Sequence, residues 1–364
     1  MAAASIGGYN RPVTNASCLS EPQQSIADAL ARRWPGARAE RIVALRGDAS
    51  TRRFWRVFVE SSDAAAPRTA IAVDLGPDDL PLYARTLKLL PEPLSEPPWV
   101  NVHRFLASIG VAVPELYSAP PGARLLLVED VGDVALFEAA RQEPSRAGEL
   151  YRLALDELML FHAKGTQRPD PRCIAFRVAY DERLFAWEME QFVECGMATA
   201  APDANPTTIR PELRELAARL GCLPRVLSHR DFHGQNLFVQ KGSVIRVLDF
   251  QDALMAPAAQ DLAVLLTTRD TATIITPALE SDLLSYYLDG MKRCGAEMPG
   301  TAEFLESYRL CVLQHALKAI GRFTWLERTG KSGYLAHLPH CLEQARRMLA
   351  ERSDFPHLQS ALAG

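Results

Sequence analysis

Through the first third of the chain, apolar and polar residues alternate in short runs. The runs 42–45, 54–59 and 69–75 are rich in β-branched and aromatic residues. Turn-formers separate them, Gly47-Asp48 after the first and residues 63–67 after the second, which is the pattern of strands. Helical spacing interrupts near 80–90 and 100–109, and 114–117 and 124–128 read as two more strands. From about Asp133 the period changes. Leu150, Leu153, Ala154, Leu158 and Phe161 follow the three-and-four spacing of a buried helix face. Similar patterns lie around 178–195, 210–220, 258–268, 280–293, 302–327 and 337–351. Only a short insert, 226–239 and then 244–250, reads as a loop flanked by strands. The class expected is therefore α+β: a disordered tail over 1–20, a small antiparallel-sheet N-lobe over 21–130 and a larger helical C-lobe over 131–364. The proline-rich stretch 91–98 reads as a loop, and no repeats are found.

Composition narrows the function classes. The 364 residues are 48% hydrophobic and 23% charged, as in an ordinary soluble globular protein. The formal net charge of −4, with both signs interspersed, argues against a nucleic-acid surface. The seven cysteines are scattered without a C-x-x-C pair, which points to free thiols in a reducing cytoplasm. No run approaches the ~18 apolar residues of a membrane span, and the first twenty residues lack the basic start and apolar run of a signal peptide.

The strongest chemical signal is Ser228-His229-Arg230-Asp231-Phe232-His233-Gly234-Gln235-Asn236, with Asp249-Phe250 thirteen positions after the asparagine. Phosphoryl transfer requires an oriented hydroxyl and a divalent metal to offset phosphate charge. Asp231 on a tight loop can accept the hydroxyl proton, making it the candidate catalytic residue. Asn236 and Asp249 offer oxygens to Mg²⁺, which prefers oxygen ligands. The spacing matches an H-x-D-x-x-x-x-N…D arrangement. His229 reads as a brace for the loop rather than a base. A metal role for His233 would need partners that the sequence does not supply nearby, and His162 reads as a core residue.

Two weaker signals concern a nucleotide. Gly47-Asp48-Ala49-Ser50-Thr51-Arg52-Arg53 lies between two expected strands. Its backbone N–H groups, with Ser50, Thr51, Arg52 and Arg53, suit a phosphate cover, although a plain hairpin turn reads the same way. The apolar run 125–128 ends in Glu129, Asp130 and a glycine. In a two-lobed kinase the backbone at Val128, Glu129 and Asp130 would bond adenine, and a simple strand end is the alternative. Gly330-Lys331-Ser332 is not a P-loop, because the required first glycine is Trp325.

At these residues the chain resembles the aminoglycoside-phosphotransferase-like kinases, and within them the anomeric N-acetylmuramate and N-acetylglucosamine kinases of cell-wall sugar recycling. The resemblance runs from about residue 26 to 342. It rests on G-D-A-S-T-R-R-F-W-R-V at 47–57, L-L-L-V-E-D-V-G-D at 125–133, H-R-D-F-H-G-Q-N-L at 229–237 and V-L-D-F-Q-D-A at 247–253. Asp261-Leu262-Ala263, L-Q-H-A-L-K-A-I-G-R-F at 313–323 and G-K-S-G-Y-L at 330–335 complete it. It implies a two-lobed protein-kinase-like fold, ATP and Mg²⁺, and phosphate transfer to the anomeric hydroxyl of an amino sugar. Asp261 would steady the catalytic loop, and Tyr180, Glu190, Gln251, Asp252, Lys318 and Arg322 would be substrate candidates. Lys318 and Arg322 read equally well as a solvated basic face. Departures are the missing strand-three lysine (Ile71-Ala72-Val73-Asp74 stands there, with Arg52, Arg53 or Arg56 as substitutes), Gly234-Gln235, Ala256-Pro257 and Gln260. The alternatives are a kinase of an aminoglycoside or amino alcohol, and a nucleotide-binding pseudokinase.

Overall fold

The computed structural model describes residues 21–45, 52–76, 87, 90, 96–120, 122, 124–350 and 352–363. The expected tail, the turn with Ser50 and Thr51, and most of the expected helix near 80–90 lie outside the described residues. The chain divides into two compact units. One comprises Met1–Gly76 with Leu116–Asp130, the other Pro77–Glu115 with Val131–Gly364.

In the first unit, β1 (Arg38–Leu45), β2 (Arg53–Glu60), β3 (Thr69–Asp74), β4 (Leu116–Ser118) and β5 (Leu125–Glu129) form one antiparallel sheet in the order β1-β2-β3-β5-β4. The sequence pattern did not foresee α1 (Glu21–Arg33). Its Ile26, Ala29 and Leu30, followed by Trp34 and Ala37, bury against Val57, Ala72 and Leu127. Trp34 also meets Tyr117 edge-on, with ring centres 5.1 Å apart. Burying such side chains fully contributes about 1.5–3 kcal/mol each, which accounts for a short helix of modest intrinsic propensity.

The second unit is mainly helical. Its elements are α2 (Pro98–Ile109), α3 (Leu136–Gln142), α4 (Ala147–Met159), α5 (Glu182–Gln191), α6 (Pro206–Gly221), α7 (Ala258–Thr267), α8 (Pro277–Arg293), α9 (Thr301–Arg328), α10 (Leu338–Leu349) and α11 (Pro356–Leu362). Two small antiparallel pairs interrupt it: β6 (Arg225–Ser228) with β9 (Leu254–Pro257), and β7 (Leu237–Gln240) with β8 (Val244–Val247). The expectation that residues up to 130 group together differs for 96–115. There α2 sets Trp99 against Phe250, and Val247 N–H donates to the Ala112 carbonyl at 2.9 Å. The six described cysteines are free thiols. No helix among the described residues is long and apolar enough to cross a membrane.

Candidate active site

The loop after β6 is held by a buried acid. Asp261, in the first turn of α7 and fully buried, accepts the backbone N–H groups of His229 and Arg230, both at 2.8 Å. His162 bonds its Oδ2 at 3.0 Å, and the other imidazole nitrogen of His162 meets the Tyr287 hydroxyl at 2.7 Å. Burial pushes the Asp261 carboxyl up, yet the hydrogen bond and charge of His162 outweigh it and leave the acid below its ordinary range. Arg230 adopts φ +76°, a left-handed conformation unfavourable for a side chain with a Cβ. Two hydrogen bonds to a buried carboxylate, about 1.5–3 kcal/mol each, are ample to hold it there.

The same loop clamps the peptide of Leu248. His229 Nε2 lies 2.8 Å from the Leu248 carbonyl oxygen, and Leu248 N–H donates to the Asn236 carbonyl at 2.8 Å. Asp249, the next residue, is thereby fixed beside Asn236, as Leu237↔Val247 pairing also requires. Asn236 Nδ2 donates to the Asp231 carbonyl at 2.9 Å, so Oδ1 is the atom that could ligate a metal. Asp249 sits at φ +62°, and Gln251 Nε2 donates to its Oδ1 at 3.0 Å. Gln251, expected as a substrate residue, is buried and braces Asp249. Among the described residues no three His, Cys, Asp or Glu side chains gather to hold a metal. One carboxylate and one amide oxygen still suit Mg²⁺, which takes few protein ligands and completes its shell with water and phosphate.

Asp231 keeps 36% of its side chain exposed. Burial opposes its ionisation, but Arg230, Lys318 and the imidazoles of His233 and His229 prevail and hold the carboxyl well below the usual carboxylate range. Burial is the largest influence on His233 and lowers its pKa, and it lowers His315 to about 3. Beside this lies a residue that sequence patterning missed. Glu188 on α5, 2% exposed, accepts from Arg230 Nη2 at 2.7 Å, Lys318 Nζ at 3.1 Å, Gln314 Nε2 at 3.2 Å and the Tyr180 hydroxyl. Burial works against its charge, yet Lys318 and Arg230 bring its pKa down to about 2.

The structure thus brings Tyr180 and Lys318 together through Glu188, and sets Asp252 3.6 Å from Arg230. Glu190, two residues along α5, is turned away and pairs with Arg210 at 2.7 Å. Two departures from the family pattern have structural partners. Gln260 donates to Gln314, which bonds Glu188, and Gln235 accepts from Arg269 at 3.1 Å. In the first unit Arg53 pairs with Asp74 at 2.5 Å. Arg56 pairs with Asp130 at 2.8 Å, and Arg52 lies just before β2. Val128 and Glu129 are in the β3–β5 ladder.

The sequence pattern of the phosphotransferase enzyme family matches residues 41–304, well over half of the chain. The protein belongs to this phosphotransferase family. N-acetylmuramate/N-acetylglucosamine kinase of Pseudomonas aeruginosa is 29% identical over 272 residues, 73% of this chain and 77% of its own. That of Neisseria meningitidis serogroup B is 26% identical over 276 residues, 75% and 80% respectively. Among solved structures, choline kinase from Cryptosporidium parvum Iowa II aligns with TM-score 0.60 at 13% identity, covering 94% of this chain and 99% of that one. A spectinomycin phosphotransferase in complex with ADP and spectinomycin aligns with TM-score 0.55 at 13% identity, covering 93% and 98%. The protein therefore has the expected protein-kinase-like fold and is an enzyme, a small-molecule phosphotransferase, rather than a binding module.

Proposed function

We propose that this phosphotransferase moves the γ-phosphoryl group of ATP to the anomeric hydroxyl of an amino sugar, N-acetylmuramate or N-acetylglucosamine. The clamp on Leu248 carries the chemical part of this reading, because it sets Asp249 beside the Asp231–Asn236 loop. The named relatives, aligned over about three quarters of both chains, carry the choice of acceptor.

In this reading Asp231, ionised at neutral pH, accepts a hydrogen bond from the sugar hydroxyl and aims its oxygen at the phosphorus. It takes the proton as the new O–P bond forms and ADP departs. Asn236 Oδ1 and the Asp249 carboxylate hold Mg²⁺, which offsets charge on the phosphate oxygens when bound. His229 and Asp261 keep the loop in its left-handed turn. Ser50, Thr51, Arg52, Arg53, Val128, Glu129 and Asp130 serve the nucleotide. We place the enzyme in the cytoplasm, where its scattered thiols stay reduced.

The test incubates purified protein with labelled ATP, Mg²⁺ and a panel of N-acetylmuramate, N-acetylglucosamine, glucosamine, an aminoglycoside and choline. Label in an acid-labile sugar phosphate is expected. Label only in the aminoglycoside or choline would end the amino-sugar reading and leave the kinase assignment intact.

A further inference from the structure

Among the described residues, three cations on or near the catalytic loop have acidic partners. Arg230 is engaged by Glu188 and Asp252, Lys318 by Glu188, and Arg269 lies 3.8 Å from Asp270. Arg322 differs. It lies on α9 one turn beyond Lys318, a spacing that puts both on one helix face. It is partly buried, and its guanidinium stacks over Trp325 at 4.5 Å. Among the described residues it takes part in no hydrogen bond and no ion pair, so none of them offers its N–H donors an acceptor. Burial is the largest influence on it and lowers its pKa. The charges that act on it are those of Tyr334, Arg230, Asp231 and Glu188, and its place one turn along α9 from Lys318, which contacts Glu188, puts it on the Glu188 side of the loop.

A partly buried guanidinium that pairs with no described acid can take an anion from a ligand, and stacking on an indole leaves its in-plane donors suited to a carboxylate fork. Two buried imidazole nitrogens, Nδ1 of His233 and Nδ1 of His315, also have no hydrogen-bond partner and belong to the same electrostatic neighbourhood of Asp231. The donors for metal, Asn236 and Asp249, lie on the β7–β8 side of the loop, whereas Arg322 belongs to the α9 side with Lys318. We propose that Arg322 is a specificity-determining residue that binds a carboxylate on the acceptor. Resting on the amino-sugar reading, this makes N-acetylmuramate, whose lactyl group carries a carboxylate, the preferred substrate over N-acetylglucosamine, which has none.

The experiment compares kcat/KM for the two sugars in the wild type, Arg322→Gln and Arg322→Lys, with the KM for ATP measured alongside. The ratio between two acceptors on one enzyme sample does not depend on the folded fraction, so partial misfolding leaves it readable. Arg322→Gln is expected to lower the N-acetylmuramate to N-acetylglucosamine ratio about 10- to 100-fold, through KM for N-acetylmuramate, and Arg322→Lys to recover part of it. An unchanged ratio overturns the proposal. Equal losses on both sugars with a raised KM for ATP overturn it too, and assign Arg322 to the donor phosphates. A wild type that phosphorylates neither sugar sinks the amino-sugar reading itself, and this inference with it.

Discussion

Glu188 sits at the meeting point of Arg230, Lys318, Gln314 and Tyr180, so removing its charge has consequences well beyond one hydrogen bond. Glu188→Gln leaves two partly buried cations facing a neutral amide, a change that should destabilise by up to about 3 kcal/mol, the low end of the range for a broken buried pair. The pH dependence follows from the depressed carboxyl. The folded pKa of about 2 lies below the 4.5 of an unperturbed glutamate, so its stabilisation is complete above about pH 4.5 and fades as pH falls toward 2. The stability gap between wild type and Glu188→Gln should therefore narrow across that window, as read by urea midpoints from neutral to acid pH. A gap that stays constant would mean the carboxyl titrates alike in the folded and unfolded chain. Asp231 gives a second test. Asp231→Ala should lower kcat roughly 1,000-fold, within the range for a lost general base, while nucleotide affinity changes little. Turnover close to wild type would remove Asp231 from the mechanism. Because its carboxyl is held so low, any acid limb in the wild-type pH profile above pH 4 should come from another group.

The contact between α5 and α9 sets the distance between Glu188 and its partners on the long helix, and a glycine makes it possible. A Cβ on Gly321 would lie 2.5 Å from the Gln191 carbonyl carbon and 2.6 Å from the Phe192 nitrogen, atoms of backbone that cannot rotate away. Gly321→Ala should force the helices apart, destabilise by about 1–3 kcal/mol as overpacking does, and weaken activity by moving Lys318 and Gln314. Gly148→Ala in α4 is the contrasting case: its Cβ would meet only Leu279 Cδ1, at an ordinary 3.5 Å, and should stabilise by up to ~1 kcal/mol. Thermal melts of both variants check the pair, and equal effects would deny the α5–α9 approach any special role. Most helices of the second unit were legible because a buried face imposes its period on the sequence, as at Leu150, Ala154 and Leu158. The strand β9 was not, since four residues ending in Pro257 are too short to show a period. Nor was Glu188 distinguishable from Glu190: a carboxylate on an amphipathic helix reads as solvated until the partner elements are placed. The Asp231–Asn236 loop was legible because its residues are local in sequence, whereas the proposed acceptor side draws on residues from 180 to 322.

At the scale of the whole molecule, the loop is anchored to elements far apart in the chain. His162 follows α4, Asp261 opens α7, Tyr287 belongs to α8, and Gln314 and Lys318 belong to α9 beyond the last residue of the family match. A ligand that binds this loop only in the folded state should therefore raise the stability of the entire second unit, by RT ln(1 + [L]/Kd), about 2.7 kcal/mol at a hundredfold excess over Kd. Thermal unfolding with ADP alone and with ADP plus Mg²⁺ separates the metal's share from that of the nucleotide. In the wild type the magnesium increment should amount to a shift of a few degrees, at ~2–4 °C per kcal/mol for domains of 150–250 residues. Asp249→Asn keeps the size of the side chain and replaces one anionic oxygen by an amide, so it should retain the nucleotide's share and lose most of the magnesium increment. Asp231→Ala, which removes no proposed metal ligand, should keep both. An undiminished magnesium increment in Asp249→Asn would place the metal on other oxygens, and the clamp on Leu248 would then serve the loop's shape alone.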